Sequence, residues 1–388
     1  MPGDAQSLPT DARGIAVLFL NAFSGEGMGG GEVQTLHLAR GLVRRGAAVH
    51  LMCPPGELAE AARAAGVVVR EHVFRASSLL TDAGAVRRLC DESGCGIVHG
   101  TGYLTNMLAR RVRVDGRIAA VNTVHVVPGA SVHESGSRLE LAARSALDRF
   151  TLRRVDGLVA VSEAVAEGLR EARLVPPSGV RVIHNGIDVE ALVDAAREKA
   201  PVDLPAGEGP LVGFLGRLER VKGPDVFVEA CCTLASRRQD VRFAVAGSGT
   251  LAGEIERRLR ASCGERAAFL GHVPNAAAFL RSLDVLVVPS RSESFSLVAL
   301  EAMALGTPIV AADVGGLGGL VGESGAGILV PPEEPGAVAD AAELLLADQT
   351  TRDRVREAGL DYARRFSVER MVDEYLDVYR SVLGGSRR

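Results

Sequence analysis

The stretch PSRSESFSLVALEAMALGTPIVAADVGG, residues 289–316, decides the fold. An apolar run of strand composition, residues 284–289, leads into it, and residues 296–305 then follow a helical pattern with leucines on one side. Glu293 therefore falls in a loop at the end of a strand, and Glu301 falls on the helix that follows. A strand, a loop and a helix in this order form the repeating unit of a parallel α/β sheet.

The start of this helix is a predicted anion site. The first turn of a helix has unpaired backbone N–H groups, so Phe295, Ser296 and Leu297 offer donors to an anion such as a diphosphate. Carboxylates repel phosphate but accept hydrogen bonds from hydroxyl groups. We therefore expect Glu293 and Glu301 to hold the hydroxyls of a ribose or a hexose.

The alternation of strands and helices runs through most of the chain, in one series from Ile15 and a second from Pro210. A chain of 388 residues exceeds what one core usually organises, so we predict an α/β protein of two doubly wound, Rossmann-like domains facing across a cleft. The C-terminal helix is expected to cross back to the N-terminal domain. The predicted parts are residues 1–190 (N-terminal domain), 191–209 (linker), 210–366 (C-terminal domain) and 367–388 (crossover helix and tail).

Composition excludes several classes of protein. The net charge of −4 argues against a general nucleic-acid binder. No apolar run approaches the ~20 residues that span a bilayer, and the N-terminus lacks the features of a signal peptide, so we expect a cytoplasmic location. The six cysteines contain no C-x-x-C pair and are predicted to be buried small residues, without disulfides or zinc.

Two cations stand in the loop GFLGRLERVKGPD, residues 213–225. Arg217 and Lys222 follow a predicted strand and precede a helix that begins near Pro224. The planar guanidinium of an arginine can donate two parallel hydrogen bonds to a phosphate, and the ammonium of a lysine is a compact positive charge, so the two residues together suit a diphosphate. Alternatively, they are two loop charges that only contact solvent. Lysine occurs elsewhere only at Lys199, which favours a functional role for Lys222.

Glycine-rich loops follow two further strands. Gly25, Gly27 and Gly30 of GEGMGGGE match G-x-G-x-x-G, but the next strand ends LMCPP without the acidic residue that would hold a ribose in a dehydrogenase. This loop either approaches a phosphate or sugar closely or is a flexible connection. Gly247 and Gly249 line the same pocket or only form a tight turn.

His125 ends the strand RIAAVNTVH, where side chains enter a cleft. A structural histidine is the alternative, and His99, His133 and His184 occupy comparable positions. There is no D-x-D and no H-x-x-E-H motif, so we expect neither a metal in the site nor a cofactor.

These motifs together resemble glycosyltransferase family 4, the retaining nucleotide-sugar enzymes of GT-B architecture. The resemblance spans nearly the whole chain, and the E-x7-E pair is its most specific part. It rests on GGGE (29–32), the strand ending at His125, VSEAV (from 161), HNGID (184–188), GRLERVKG (216–223), GSG (247–249), FLGHVP (269–274), ESFSLVALEA (293–302), GTPIVA and ILVPP.

The resemblance implies that residues 1–190 bind the acceptor and that residues 210–366 bind the nucleotide sugar. It also implies roles for individual residues. Arg217 and Lys222 would grip the donor diphosphate, Glu301 would bind the nucleotide ribose, and Glu293 would hold the hydroxyls of the transferred sugar. His125 would lie beside that sugar. The donor-binding set is completed by Gly30 and Gly31, by the amides of Phe295, Ser296 and Leu297, and by Gly247, His272 and Val273. Two departures are Ser296, where the family often has glycine, and Val368, where tryptophan is frequent.

The resemblance also implies the reaction. The acceptor hydroxyl would attack on the face from which the diphosphate leaves, with retention and without a metal. A UDP-sugar is the first expectation for the donor, and the acceptor would be a glycan, a lipid-linked saccharide or a small metabolite. A nucleotide-sugar epimerase and a non-catalytic sugar-nucleotide binding protein are the alternatives. Arg110, Arg111 and Arg113 either meet an anionic partner, such as a lipid at the inner face of the cell membrane, or form a solvated basic face.

Overall fold

The computed structural model describes residues 11–23, 28–75, 77, 79–114, 116–126, 147–198 and 203–385. Gly25, Gly27 and His133 lie outside these residues. The chain divides into two compact units, one of Met1–Gly186 with Val368–Arg388 and one of Ile187–Ser367.

The first unit is built on a parallel sheet of seven strands in the order β3-β2-β1-β4-β5-β6-β7. Its central strands β4, β5 and β6 are buried throughout, as expected for apolar strands covered on both faces. The strands are β1 Ala16–Leu20, β2 Ala48–Cys53, β3 Val68–Glu71, β4 Ile97–Gly100, β5 Ala119–Val124, β6 Gly157–Ala160 and β7 Arg181–Val182.

The helices of the first unit connect these strands. They are α1 Gly30–Arg44, α2 Glu57–Ala64, α3 Leu79–Ser93, α4 Tyr103–Val112 and α5 Glu163–Glu171, and residues 147–152 are also helical. The glycine-rich stretch 29–31 forms the start of α1. The helix begins after the extended residue Gly29, so Gly30 and Gly31 form its first turn, where backbone N–H groups need no intrahelical acceptor.

The second unit is a parallel sheet of six strands in the order β10-β9-β8-β11-β12-β13. Every predicted strand of the second series is present. The strands are β8 Leu211–Leu215, β9 Arg242–Ala246, β10 Ala267–Gly271, β11 Val285–Val288, β12 Ile309–Ala312 and β13 Gly327–Val330. The helices are α6 Val189–Ala196, α7 Pro224–Arg237, α8 Ala252–Cys263, α9 Ala276–Arg281, α10 Leu297–Ala304, α11 Gly315–Ser324, α12 Pro335–Ala347 and α13 Gln349–Ala363, with 3-10 turns at Arg220–Lys222 and Gly264–Arg266.

The predicted linker, residues 191–209, begins inside helix α6. Asp188 caps this helix by accepting a hydrogen bond from the backbone N–H of Ala191 at 3.0 Å. Helix α6 packs against α9 and α10, so it belongs to the second unit. The Ala- and Pro-rich composition concealed a helix whose signal was the capping Asp188.

The C-terminal helix, α14 Val368–Gly385, packs on the first unit against α1. A buried polar chain adds to this apolar contact. Nδ1 of His99 is hydrogen-bonded to the Tyr379 hydroxyl at 2.7 Å, and Nε2 is hydrogen-bonded to the Thr123 hydroxyl at 2.8 Å. The Thr123 hydroxyl is also hydrogen-bonded to the Tyr375 hydroxyl at 2.9 Å. His99 is therefore a structural histidine. Val368 is itself buried, so it is a core residue.

None of the six cysteines is in a disulfide. Five of them are buried, and the prediction that all six are buried is wrong only for Cys232. It lies on the exposed side of helix α7, next to the buried Cys231.

Candidate active site

The order of the second sheet sets the place of the candidate site. Strand β8 lies between β9 and β11, so the chain leaves β8 toward one side of the sheet and later returns to the other. Open α/β sheets bind ligands at the carboxyl ends of strands beside such a switch point. Arg217 and Lys222 follow β8, and Glu293 follows β11, so the topology places these loops side by side.

Lys222 and Glu293 form an ion pair. The Lys222 ammonium lies 2.5 Å from Oε2 of Glu293, and the side chains are only 24% and 11% exposed. The Ser290 hydroxyl lies 3.5 Å from the same carboxylate oxygen. We predicted separate partners for these two residues, a phosphate for the cation and hydroxyls for the carboxylate. In this structure each neutralises the other, so an incoming anion must compete with Glu293 for Lys222.

Arg217 is exposed immediately after β8. Within the described part of the chain, its guanidinium makes no hydrogen bond or ion pair. It is therefore available to an anionic ligand at the same end of the sheet as Lys222.

The start of helix α10 is strained. Ser296, its N-cap residue, has φ 66° and ψ 90°, a conformation that costs a non-glycine residue energy. Its buried hydroxyl has no hydrogen-bond partner, and the backbone N–H groups of Ser296 and Leu297 reach no acceptor among the described residues. The Phe295 side chain is buried beside Phe366, with ring centroids 5.7 Å apart, so only its backbone can face a ligand.

Glu301 lies on helix α10 and stays partly accessible. Burial raises the pKa of its carboxyl to about 7. No other described group pairs with the carboxylate, so its oxygens are free to accept hydrogen bonds from a ligand.

This raised pKa predicts a pH-dependent stability. An unfolded glutamate titrates near 4.5, so between pH 4.5 and 7 the unfolded chain releases a proton that the folded chain retains. Glu301 therefore destabilises the protein as the pH rises through this window, by about 3 kcal/mol for the difference between 4.5 and 7. Glu301→Gln is expected to raise the Tm above that of the wild type at pH 8 but not at pH 4.5. Equal Tm differences at both pH values would contradict the assignment, and Glu265→Gln is the exposed control.

The glycines after β9 are required by packing. Gly247 has φ 139°, and a Cβ on it would lie 1.9 Å from the carbonyl oxygen of Gly216. A Cβ on Gly249 would lie 2.6 Å from the carbonyl oxygen of Leu218. Close approach of the two loops thus explains these glycines without a ligand. In the following loop, His272 is exposed and Val273 is buried.

Gly223 holds the Lys222 loop against the loop after β11. It has φ 68°, and a Cβ on it would lie 2.1 Å from the carbonyl oxygen of Pro289. Gly223→Ala is therefore expected to lower the free energy of unfolding by roughly 2–4 kcal/mol, measured by urea denaturation. Gly336→Ala is the matched control, because Gly336 lies in α12 with no atom near the added methyl. Equal stability of the two variants would refute the close approach.

The first unit brings His125 and Gly31 together. A Cβ built on Gly31 would lie 3.8 Å from two atoms of the imidazole ring. Burial lowers the pKa of His125 to about 4, so the ring is neutral at physiological pH. A neutral imidazole can donate one hydrogen bond and accept another, which suits hydroxyl groups better than phosphate.

A cavity of about 320 Å³ in the first unit has His125 in its wall. Apolar side chains from the helical segment 147–152, β6 and α5 line it. Asn106 lines it as well, and its buried Oδ1 has no hydrogen-bond partner among the described residues. The lining residues are Gly102, Tyr103, Asn106, Arg110, Thr123, Val124, His125, Val126, Asp148, Leu152, Leu158, Leu169 and Leu174.

The predicted basic face on α4 is wrong for two of its three arginines. Arg110 is buried and donates to Asp148 at 2.6 Å and to Asn122 at 2.8 Å. Arg113, which follows the helix, donates to both carboxylate oxygens of Asp156. Only Arg111 is exposed. Tertiary partners that the helical spacing does not show satisfy the other two charges.

The sequence matches two family models over most of its length. The first, Glycosyltransferase Family 4, matches residues 28–191, and the second, Glycosyl transferases group 1, matches residues 209–348. The D-inositol 3-phosphate glycosyltransferase 1 of Catenulispora acidiphila is 31% identical, over 83% of this chain and 82% of that protein. The chain belongs to glycosyltransferase family 4. A D-inositol 3-phosphate glycosyltransferase of Nocardia farcinica is also 31% identical, over 99% of this chain and 92% of that protein.

This glycosyltransferase has the GT-B fold. HepE of Anabaena, solved with UDP and with UDP-glucose, superimposes with TM-scores of 0.78 and 0.77. The identity is 19%, and the match covers 95% of this chain and all of HepE. No described helix of the glycosyltransferase is both long and apolar enough to cross a membrane. No three His, Cys, Asp or Glu side chains of the described ranges form a group that could hold a metal ion.

Two further residues at this candidate site were not predicted from the sequence. Arg291, two residues before Glu293, donates from Nη1 and Nη2 to the two carboxylate oxygens of Asp225, at 2.8 Å each. Asp225 lies three residues after Lys222. The signal was available, because opposite charges stand in two loops that follow β8 and β11.

Proposed function

We propose that this glycosyltransferase moves a hexose-type sugar from a UDP-sugar to an acceptor hydroxyl, with retention of configuration and without a metal ion. The observation that carries the proposal is the Lys222–Glu293 pair beside the exposed Arg217 at the switch point of the second sheet. A ligand with a diphosphate next to sugar hydroxyls can bind both side chains of this pair. The diphosphate binds the cation, and the hydroxyls donate to the carboxylate.

The donor diphosphate would bind Lys222, Arg217 and the free N–H groups at the start of α10. Phosphate replaces Glu293 as the partner of Lys222, and this releases the carboxylate. Glu293 then accepts hydrogen bonds from the hydroxyls of the transferred sugar. Glu301, whose carboxylate has no partner among the described residues, accepts hydrogen bonds from the ribose hydroxyls. The UDP and UDP-glucose bound to the similarly folded HepE support a uridine nucleotide as the donor.

In the transfer step, the bond between the anomeric carbon and the diphosphate oxygen breaks. The acceptor oxygen forms its bond to the anomeric carbon on the same face, and its proton passes to the departing diphosphate oxygen. The positive charges of Lys222 and Arg217 stabilise the negative charge that develops on the leaving group. Because these cations perform that task, the proposed reaction needs no metal. The neutral imidazole of His125 is the proposed hydrogen-bond partner of the reacting sugar.

The acceptor would be a small metabolite held by the cavity of the first unit. Its volume of about 320 Å³ lies within the range of small-molecule sites. The ring of His125, in the wall of this cavity, can bind hydroxyl groups, and the two relatives are named for D-inositol 3-phosphate. A polyol phosphate is therefore the first acceptor to test.

The test is acceptor-dependent release of nucleotide. Purified protein is incubated with UDP-, GDP- or ADP-sugars, with and without inositol 3-phosphate, and in the presence of EDTA. We expect UDP release only with a UDP-sugar and acceptor together, and NMR of the product should show the anomeric configuration of the donor. Conversion of the nucleotide sugar without acceptor would show an epimerase. An inverted product, or binding without turnover across an acceptor panel, would also contradict the proposal.

A further inference from the structure

Two ion pairs connect the same two segments of the second unit. Residues 220–225, a 3-10 turn that leads into the first turn of α7, contain Lys222 and Asp225, and the 289–293 loop contains Arg291 and Glu293. Lys222 pairs with Glu293, while Asp225 pairs with Arg291. Each segment thus contributes one cation and one anion, and the pairs cross between them.

The Arg291 contacts are suited to fixing a position. Besides the fork to Asp225, Nη1 donates to the carbonyl oxygen of Arg220 at 2.6 Å and Nε donates to Glu333 at 2.8 Å. The backbone N–H of Arg291 donates to the carbonyl oxygen of Val221 at 2.8 Å. The side chain is only 12% exposed, and a planar fork of this kind is more directional than a single charge contact.

The two pairs differ in what a ligand does to them. If a diphosphate binds Lys222, the ion pair between Lys222 and Glu293 breaks and no longer connects the two segments. The Asp225–Arg291 fork uses neither of the groups proposed to bind the ligand, so it persists. It then keeps the Glu293 loop in place against the turn that carries Lys222.

We propose that Arg291 is a positioning residue, and that its fork with Asp225 holds Glu293 in register with Lys222 while the donor is bound. This inference rests on the proposed function, because it assigns the Lys222–Glu293 pair to donor binding. Arg291 acts through the two segments and does not itself contact the sugar.

The test compares Arg291→Met, Asp225→Asn and the double variant with the wild type. Each single change is expected to lower kcat at least tenfold and to leave the Kd for plain UDP within twofold. The double variant should be no slower than Arg291→Met, because both changes remove the same contact. The wild type is expected to bind UDP-glucose more tightly than UDP, and the variants should lose this difference, since it depends on the position of Glu293.

Two controls separate positioning from general stability. Glu333→Gln removes the exposed partner of the same guanidinium, and Arg237→Met removes an exposed arginine paired with Asp340 and Glu343. Both should keep kcat within twofold of the wild type. If Arg291→Met does not fold, Arg291→Lys, which keeps the charge but not the fork, is judged by the same criteria.

The inference is overturned if a folded Arg291 variant turns over at the wild-type rate, or if the Asp225 and Arg291 effects multiply in the double variant. Equal losses of kcat and UDP affinity would also overturn it, because they indicate general damage. Failure of the proposed function looks different, since the wild type itself would then release no nucleotide with acceptor. The comparison of UDP-glucose with UDP binding would still decide the role of Arg291.

Discussion

Lys222→Ala is expected to reduce sugar transfer about 10²- to 10³-fold in a protein that remains folded. The size of the effect is that of removing one group that stabilises developing negative charge in a transition state. The change also leaves Glu293 partly buried without its partner. Initial rates at saturating donor and acceptor, with circular dichroism to verify folding, measure the effect.

Lys222→Arg keeps the positive charge but replaces a compact ammonium by a planar fork, so partial activity is expected. Lys199→Ala is the matched control, because Lys199 is the only other lysine in the chain. Near-normal turnover by folded Lys222→Ala would remove this residue from the proposed mechanism.

Glu293→Gln is expected to cause a loss of transfer of similar size for a different reason. The amide retains the shape of the side chain but loses the charge that pairs with Lys222 and the second acceptor oxygen for sugar hydroxyls. Since the diphosphate no longer competes with a carboxylate for Lys222, affinity for plain UDP should be unchanged or a few-fold tighter. Steady-state kinetics and a UDP titration on the same preparation test both parts.

Glu333→Gln also serves here as the control, since it removes an exposed carboxylate from the same unit. Glu293→Gln enzyme that is folded and fully active would show that this carboxylate does not act on the transferred sugar.

Much of the fold could be predicted from the sequence because local patterns specify it. Short apolar runs such as VLVV, Val285–Val288, are buried on both faces of a parallel sheet, and these runs need no tertiary information to be recognised. The helix that carries Glu301 was predicted within one residue at each end, as residues 296–305 against Leu297–Ala304. The predicted linker overlaps helix α6, because its Ala- and Pro-rich composition concealed the helix that Asp188 caps.

The candidate site could be predicted only in part, because pairing between distant residues has no local signal. Strand order brings the loops after β8 and β11 together, and only then do Lys222 and Glu293 meet across 71 positions of the chain. For the same reason Arg110 was taken for a surface charge, although Asp148 and Asn122 bury it. The residue types in the sequence indicated what kind of ligand the site could bind, whereas the partner of each charged side chain could be identified only in the structure.

The most direct test of the account is calorimetric titration of plain UDP into the wild type, Glu301→Gln and Glu293→Gln. Glu301 is proposed to bind the ribose and Glu293 the transferred sugar, so the two substitutions should differ in their effect on a ligand that lacks this sugar. Glu301→Gln should weaken UDP binding about tenfold, or about 1.4 kcal/mol, while Glu293→Gln should bind UDP at least as tightly as the wild type. Equal weakening in both variants, or none in Glu301→Gln, would contradict this division of tasks.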